Sequence, residues 1–451
     1  MEALSASAKR IAAELIGADA VFQRVTTDTR QLRAGDLFVA LKGGNFDGHA
    51  FLPQAAAAGA AGAIVSHRVE SPLPQILVND TLIGLQQLAA SWRLDFDLPV
   101  VAVTGSNGKT TTKQMLAAIF ASRGPVLATP GNLNNHIGLP LTLLSLRREH
   151  RTAVIEMGAN HLGEIELLTR LTQPDVGLIT QAGDAHLEGF GSREGVARGK
   201  GELFAGLPAH GVAVINIDDV YADLWRSMAA SHSKLTFGLS VKADVQARHV
   251  ELKAEGCSFQ LVTPVGQHHV ELPIPGRHNV SNALGAAACG VALGMDIEHI
   301  AEGLGRVQGA AGRVTWKRTT QGARLLDDSY NANPSSLRAG MELLAALPGE
   351  RWLVLGGMAE LGTDAVKLHQ DAGTAAKALG IQRLFALGEL AAEAAKAFGA
   401  GGVAFNDADA LTQALAEDLN PNIAVLVKGS RSSRMERIVA GLCQELTTEV
   451  H

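Results

Sequence analysis

Val100–Thr111 reads VVAVTGSNGKTT, and this stretch decides the architecture. Its first residues are apolar on both faces, as in a central parallel strand covered by helices on either side. Gly105, Ser106, Asn107 and Gly108 then form a tight turn, Lys109 and Thr110 open a helix, and the helical pattern runs from Thr111 to Ser122. Such a turn binds phosphate for definite reasons. Glycines let backbone N–H groups curl around the oxygens, and the helix N-terminus adds free donors and a favourable dipole. Lys109 can neutralise β- and γ-phosphates, while Thr110 can place its hydroxyl on Mg²⁺. The commonest phosphate-loop spacing has glycine at position 103, where Val103 stands, so the loop is a shortened GxxGKT. Its place between buried strand and helix points to a nucleoside triphosphate.

Outward from this loop the rhythm is strand, loop, helix. TAVIEMG, DVGLIT and GVAVINID are short Val/Ile-rich runs separated by helical periodicity, which predicts a doubly wound parallel sheet over residues 98–312. Between Val245 and Glu271 alternation returns and predicts inserted antiparallel strands, before a helix over Asn279–Leu293. Residues 1–97 read as a smaller mixed α/β unit. It has a helix over Ala8–Leu15, a strand over Asp36–Leu41, the Gly-rich turn KGGNFDGHAF and a helix over Thr81–Trp92, with Pro99 marking the boundary. Residues 313–451 alternate strand and Ala/Leu-rich helix again, a second, Rossmann-like α/β sheet. The fold class expected is therefore α/β in three domains.

Composition narrows the function. The 451 residues carry 39 Lys+Arg against 45 Asp+Glu, a net charge of −6, so no basic excess points to nucleic acid or an anionic membrane. Aromatics are 4%, too few for base-stacking platforms. Cys257, Cys289 and Cys443 are far apart and odd in number, which excludes a disulfide framework and zinc-ligand spacing. The N-terminal MEALSASAKRIAAELIGA is broken by charges, and apolar runs such as Ile423–Val427 are far shorter than the ~20 residues that cross a bilayer. A cytoplasmic protein without membrane insertion is expected.

Ligands in open α/β sheets gather at the carboxyl ends of the strands. Glu156 ends TAVIE and can hold a Mg²⁺ that bridges phosphates. His186, in QAGDAHLEGFGS after DVGLIT, sits at the same edge, either structural or beside metal and phosphate. Lys200, in SREGVARGKGELF, has the ordinary reading of a solvated helix lysine. Asp328 ends LLDD, and Tyr330, Asn331 and Asn333 cluster after it, as a nucleotide or substrate site or simply an Asx-rich turn.

Taken in order, TGSNGKTTTK, TPGNLNNHIGLP, IEMGANHLGEI, GDAHLEGFGS, GKGELF, PGRHNVSNALGAAA, Gly312-Arg313, DDSYNANPSS, LGGMAELG and KGSR resemble the ATP-dependent Mur ligases of bacterial peptidoglycan synthesis. Upstream, TTDTR and GDLFVALKGGNFDGHAF are similar to the family's uridine-nucleotide domain, so the resemblance spans nearly the whole chain. It implies ATP and Mg²⁺ as cofactors, with Gly105 through Thr111 around the phosphates and Thr110, Glu156 and His186 at the metal. It also implies Asn279 and Asn282 toward the base, Arg313 toward the phosphates and Asp328 closing on the nucleotide. Lys200 matches a lysine that related ligases carry as a carbamate, an anionic ligand for a second Mg²⁺. Thr29, Lys42 and Asp47 fall in the part that receives the UDP-sugar, and Asn134, Asn135, Tyr330, Asn331, Lys428 and Ser430 are placed at the substrates.

DDSYNANPSS and GNLNNHIGLP resemble the branch that joins D-alanyl-D-alanine to UDP-N-acetylmuramoyl-tripeptide, acting as a monomer. The catalytic set implied is Lys109, Glu156, His186 and Lys200. Many members have an acid where this chain has Gly357, so no carboxylate role is carried there. The rival readings are a sister Mur or folate polyglutamyl ligase that adds a single amino acid, and a kinase or switch protein that merely uses the loop.

Overall fold

The computed structural model describes residues 2–44, 46–309 and 311–443. Asn45, within the expected Gly-rich turn, and residues 444–451 of the third expected domain lie outside the described residues. Three sheets organise the chain, so the three-domain α/β class read from the sequence is the one observed.

The first sheet has five strands. Arg24–Thr26, Asp36–Val39, Gly62–Val65 and Gln75–Leu77 run parallel, and Glu14–Ile16 closes the edge antiparallel to Gln75–Leu77. That edge corrects the expected helix over Ala8–Leu15. The helix is Leu4–Arg10, the chain reverses at Ala12 with φ +51, and Leu15 pairs with Ile76 instead. Asp80 starts the helix Thr81–Arg93 by accepting N–H bonds from Leu82 and Ile83.

The central sheet has nine strands. Its parallel part runs Val126–Ala128, Thr152–Glu156, Val100–Thr104, Val176–Ile179, Val212–Asn216, Ser233–Gly238. Strand Val100–Thr104 is flanked by one later strand on each side, so chain order reverses there and opens a crevice at its carboxyl end. All residues of Val100–Thr104, Thr152–Glu156 and Val176–Ile179 are buried, which explains their unbroken apolar runs. The alternating segments Val245–Leu252, Cys257–Thr263 and Gly266–Leu272 extend this same sheet. Only the last two pairings are antiparallel, because Val245–Leu252 runs parallel to Ser233–Gly238. The helices Lys109–Phe120, Arg277–Ala292 and Ile297–Gly305 cover one face over a core that includes Met115, Leu116, Ile119, Leu284 and Ile300.

The third sheet is ordered Thr315–Arg318, Arg324–Asp328, Ile423–Lys428, Glu350–Gly356, Arg383–Leu387, Gly402–Phe405, with only the first strand antiparallel. Its carboxyl edge, carrying Asp328 and Lys428, faces the phosphate loop.

Candidate nucleotide and ligation site

The turn after Val100–Thr104 is built so that only glycine fits. Gly105 has φ +145, and a Cβ there would lie 1.9 Å from Thr180 Oγ1. Gly108 has φ +84, with a Cβ only 2.3 Å from Asn282 Oδ1. Around them Ser106 N donates to Gln181 O at 2.9 Å and Thr180 Oγ1 donates to Asn107 O at 2.6 Å. The helix begins at Lys109, capped by Gly108 with no side chain on its free N–H groups, which leaves them for an anion. Lys109 Nζ donates to Gly105 O at 2.6 Å. Burial pulls the Lys109 ammonium below its ordinary pKa, while Glu156 works the other way.

Glu156 stands one strand over, its carboxylate buried beside the loop. Its Oε2 accepts from Thr110 Oγ1 at 3.1 Å and pairs with Lys113 Nζ at 3.1 Å, and its Oε1 accepts from Asn134 Nδ2 at 2.8 Å. Burial alone would raise this carboxyl. The charges of Lys113 and Lys109, with the Asn134 and Lys113 hydrogen bonds, bring it below the usual range. Lys113 Nζ also donates to Thr129 O at 2.8 Å and so ties down the strand-end loop that carries Asn134. Thr110 and Glu156 offer the hard oxygen donors that Mg²⁺ prefers. Among the described residues no group of three or more His, Cys, Asp or Glu is placed to hold an ion by itself, so phosphate oxygens and water would complete the shell.

A cavity of about 440 Å³ opens over the loop, walled on the far side by the third domain. Asn279 and Asn282 line it from the helix Arg277–Ala292, with Asn282 Nδ2 donating to Asn279 Oδ1 at 3.0 Å. Arg313 lines it with its guanidinium 4.3 Å from the Tyr330 ring centre. Asp328 and the buried Lys428 form an ion pair, and Lys428 Nζ also donates to Asn331 O at 2.9 Å. Ser430 lines the same wall, its hydroxyl 3.0 Å from Ser432 Oγ. The two domains touch directly: Asn107 Nδ2 donates to Ser335 Oγ at 2.9 Å and Asn333 Nδ2 to Asn107 Oδ1 at 2.8 Å.

Several expected residues stand elsewhere or in other company. Lys200 is not the solvated helix lysine of the ordinary reading. It is fully buried on Arg193–Ala205, donating to Ala159 O at 3.2 Å with its ammonium 5.2 Å from the Phe190 ring centre. Burial, helped by the charge of Lys109, draws its pKa down to about 7. As an ammonium it does not fit a metal shell, and it is not among the residues that line the cavity. His186 lines the cavity with Nδ1 on the Glu360 carboxylate. Asn135 Oδ1 accepts from Gly138 N at 2.8 Å and so shapes a helix start. Thr29, Lys42 and Asp47 lie on the first domain and do not line this cavity. Asp47 there accepts from His49 N at 3.0 Å, next to a backbone bridge between Lys42 and Asp47. Lys113 and Glu360 are among the site residues that sequence reasoning missed, with His278, Ser335 and Arg431 on the cavity wall. Lys113 had a signal, standing four residues after Lys109 on the same helical face.

A phosphate loop at the reversal point of a parallel sheet, closed over by a separate α/β domain, defines a nucleotide-dependent enzyme of three domains. The family descriptions that match are "Mur ligase family, catalytic domain" over residues 21–92, "Mur ligase middle domain" over 103–290 and "Mur ligase, glutamate ligase domain" over 312–431. The UDP-N-acetylmuramoyl-tripeptide–D-alanyl-D-alanine ligase of Escherichia coli K12 is 45% identical, over 95% of each chain. That of Bacillus subtilis 168 is 38% identical, over 94% of each. Among solved structures, MurF from Acinetobacter baumannii superposes with a TM-score of 0.91 at 37% identity, over 97% of both chains. MurF ligase from Thermotoga maritima in complex with ADP gives a TM-score of 0.80 at 28% identity, covering 92% of this chain and 96% of that one. The chain belongs to the Mur ligase family and is a ligase.

Proposed function

We propose that this ligase joins D-alanyl-D-alanine to UDP-N-acetylmuramoyl-tripeptide at the expense of ATP, releasing ADP and phosphate. The observation that carries the reading is the 45% identity, over 95% of both chains, to a relative named for that reaction. The cavity supports it, because it places a phosphate loop opposite a second domain able to present an amine.

A carboxylate is a poor electrophile, so its condensation with an amine is blocked in water. Transfer of the γ-phosphoryl group to the tripeptide carboxylate makes an acyl phosphate. The amine adds to the carbonyl carbon, a tetrahedral intermediate forms, phosphate leaves with the C–O bond, and the nitrogen gives up a proton. Phosphoryl transfer asks the protein chiefly for position and neutralised charge. Gly105, Ser106, Asn107, Gly108 and Thr111 supply backbone donors, Lys109 and Arg313 supply positive charge, and Asn279 and Asn282 take the base. Asp328 closes from the third domain on the nucleotide. Tyr330, Asn331, Lys428 and Ser430 face the incoming peptide, and Asn134 and Asn135 border the acceptor. Thr29, Lys42 and Asp47 serve the UDP-sugar on the first domain. Mg²⁺ held by Thr110 and Glu156 would draw charge from the phosphate oxygens. His186 and a carbamate on Lys200 would hold a second ion, and a lysine with its pKa near 7 has the neutral amine that CO₂ needs. The setting is cytoplasmic and the protein a monomer.

The test is phosphate release with UDP-N-acetylmuramoyl-tripeptide, with and without D-alanyl-D-alanine, and product mass by spectrometry. Release that needs the dipeptide, with a product heavier by the dipeptide less one water, is expected. Release that responds only to single amino acids would move the chain to a sister ligase, and release without amine would overturn the reading.

A further inference from the structure

The incoming peptide has to present a free amino group to the acyl carbon, and the cavity is poor in groups that could hold it. Its cations Lys109, Arg313, Lys428 and Arg431 suit phosphates and repel an ammonium. Among the described residues only two carboxylates line it, Asp328 and Glu360. Asp328 is taken by the buried ammonium of Lys428. Glu360 is different. Its side chain is 49% exposed, Oε2 meets His186 Nδ1, and Oε1 receives no hydrogen bond from the described residues.

The backbone singles out the same spot. Glu360 has φ +61 and His186 has φ +58, conformations that non-glycine residues seldom adopt. These two residues meet each other across the seam between the second and third domains, and Glu188 N reaches Glu360 O at 3.5 Å beside them. Strain held at a contact on a cavity wall marks a position fixed for use.

We propose that Glu360 receives the amino group of the incoming peptide. A carboxylate accepts N–H hydrogen bonds from that nitrogen whether it arrives as ammonium or amine. In the amine, donation to Glu360 turns the lone pair away from the carboxylate and leaves it free for the acyl carbon. Glu360 belongs to the third domain and His186 to the second, so the nitrogen site is complete only where the two domains meet. The inference rests on the ligase reading above and adds to it the residue that selects for an amine.

The full-length enzyme tests it by steady-state kinetics with ATP, UDP-N-acetylmuramoyl-tripeptide and D-alanyl-D-alanine. Propionyl-D-alanine, which lacks the amino group, serves as inhibitor. Loss of the carboxylate's charge, which leaves only a neutral amide oxygen facing the substrate ammonium, predicts that Glu360→Gln raises the dipeptide KM about tenfold to a hundredfold. The KM values for ATP and the UDP-tripeptide and the Ki of propionyl-D-alanine stay where they are. Glu360→Asp, which keeps the charge, gives an intermediate KM. ADP affinity by calorimetry reports whether the nucleotide site is intact; if the Gln variant loses it, the Asp variant decides alone by the same comparison. An unchanged dipeptide KM, or a propionyl-D-alanine Ki that rises in step with it, overturns the proposal. If the wild type turns over another amine and not this dipeptide, the substrate assignment fails, and Glu360 is judged on that amine and its des-amino analogue.

Discussion

Lys109 is a cation that the fold accommodates at a cost: it is half-buried, burial lowers its pKa, and among the described residues its one hydrogen bond is to Gly105 O. Such a group is kept for what it does to a ligand rather than for stability. Lys109→Ala is therefore expected to lower kcat about a hundredfold to a thousandfold, as loss of a preorganised charge-stabilising donor does elsewhere. The thermal midpoint should stay level or rise. A variant with near-normal turnover would remove the centre of the mechanism. Lys200 gives a second test through pH. Its ordinary pKa of 10.5 falls to about 7 in the fold. Between those values the unfolded chain binds a proton that the folded chain lacks, so this residue adds stability as pH rises across that window. Below pH 7 its buried charge weighs fully against folding. The slope cannot exceed about 1.4 kcal/mol per pH unit for one proton. Urea midpoints measured from pH 7 to 10 should climb less steeply for Lys200→Met than for wild type, and parallel curves would refute the burial effect.

At the scale of elements, the helix Lys109–Phe120 and the strand Thr152–Glu156 act as one unit through Lys113. One turn beyond Lys109, Lys113 supplies Glu156 with its nearest opposite charge. Lys113→Met should cost about 3–5 kcal/mol, because it leaves a buried carboxylate without that partner. Burial, the largest influence on Glu156, would then raise its pKa, so the folded variant gains a proton as pH falls. The deficit in unfolding free energy against wild type should widen from pH 5 to pH 8, and a deficit independent of pH would count against this. These elements also mark what the sequence makes legible. GxxGKT is contiguous, and glycine is needed at Gly105 and Gly108 by contacts with Thr180 and Asn282, so the loop reads locally. The Glu156–Lys113–Asn134 cluster joins three segments, and only sheet register brings them together. The burial of Lys200 is not legible, because a helix pattern says which residues share a face but not that a lysine among glycines will be sealed under Phe190. The strand at Leu15 is not legible either, because an amphipathic run looks the same whether it continues as helix or, as here, reverses at Ala12 into an edge strand.

At the scale of the whole molecule, the second and third domains are held by a small number of polar contacts around the cavity. Asn107 both donates to Ser335 and accepts from Asn333, and His186 meets Glu360. On the outer side Trp316 Nε1 donates to Ala254 O at 2.8 Å. Between them the chain passes Gly312, whose φ of +69 and bond from Tyr330 N at 3.0 Å place a bend where the third domain begins. Contacts so few and polar are those of domains that separate and close, and closure would keep water from an acyl phosphate. Asn333 allows the seam to be cut cleanly, since its Oδ1 caps the helix Pro334–Ala345 by accepting from Ser336 N while its Nδ2 reaches Asn107. Asn333→Asp keeps the cap, removes the donor and sets a carboxylate against Asn107 Oδ1. The variant should melt close to wild type yet scatter as a more open molecule. Its radius of gyration should rise by about 1 Å or more, against about 22 Å for one compact body of this length. An ATP analogue with UDP-N-acetylmuramoyl-tripeptide should contract both proteins, the variant from the larger starting value. Identical small-angle scattering curves for variant and wild type, with and without ligands, would mean that Asn107 and Asn333 do not govern the approach of the domains.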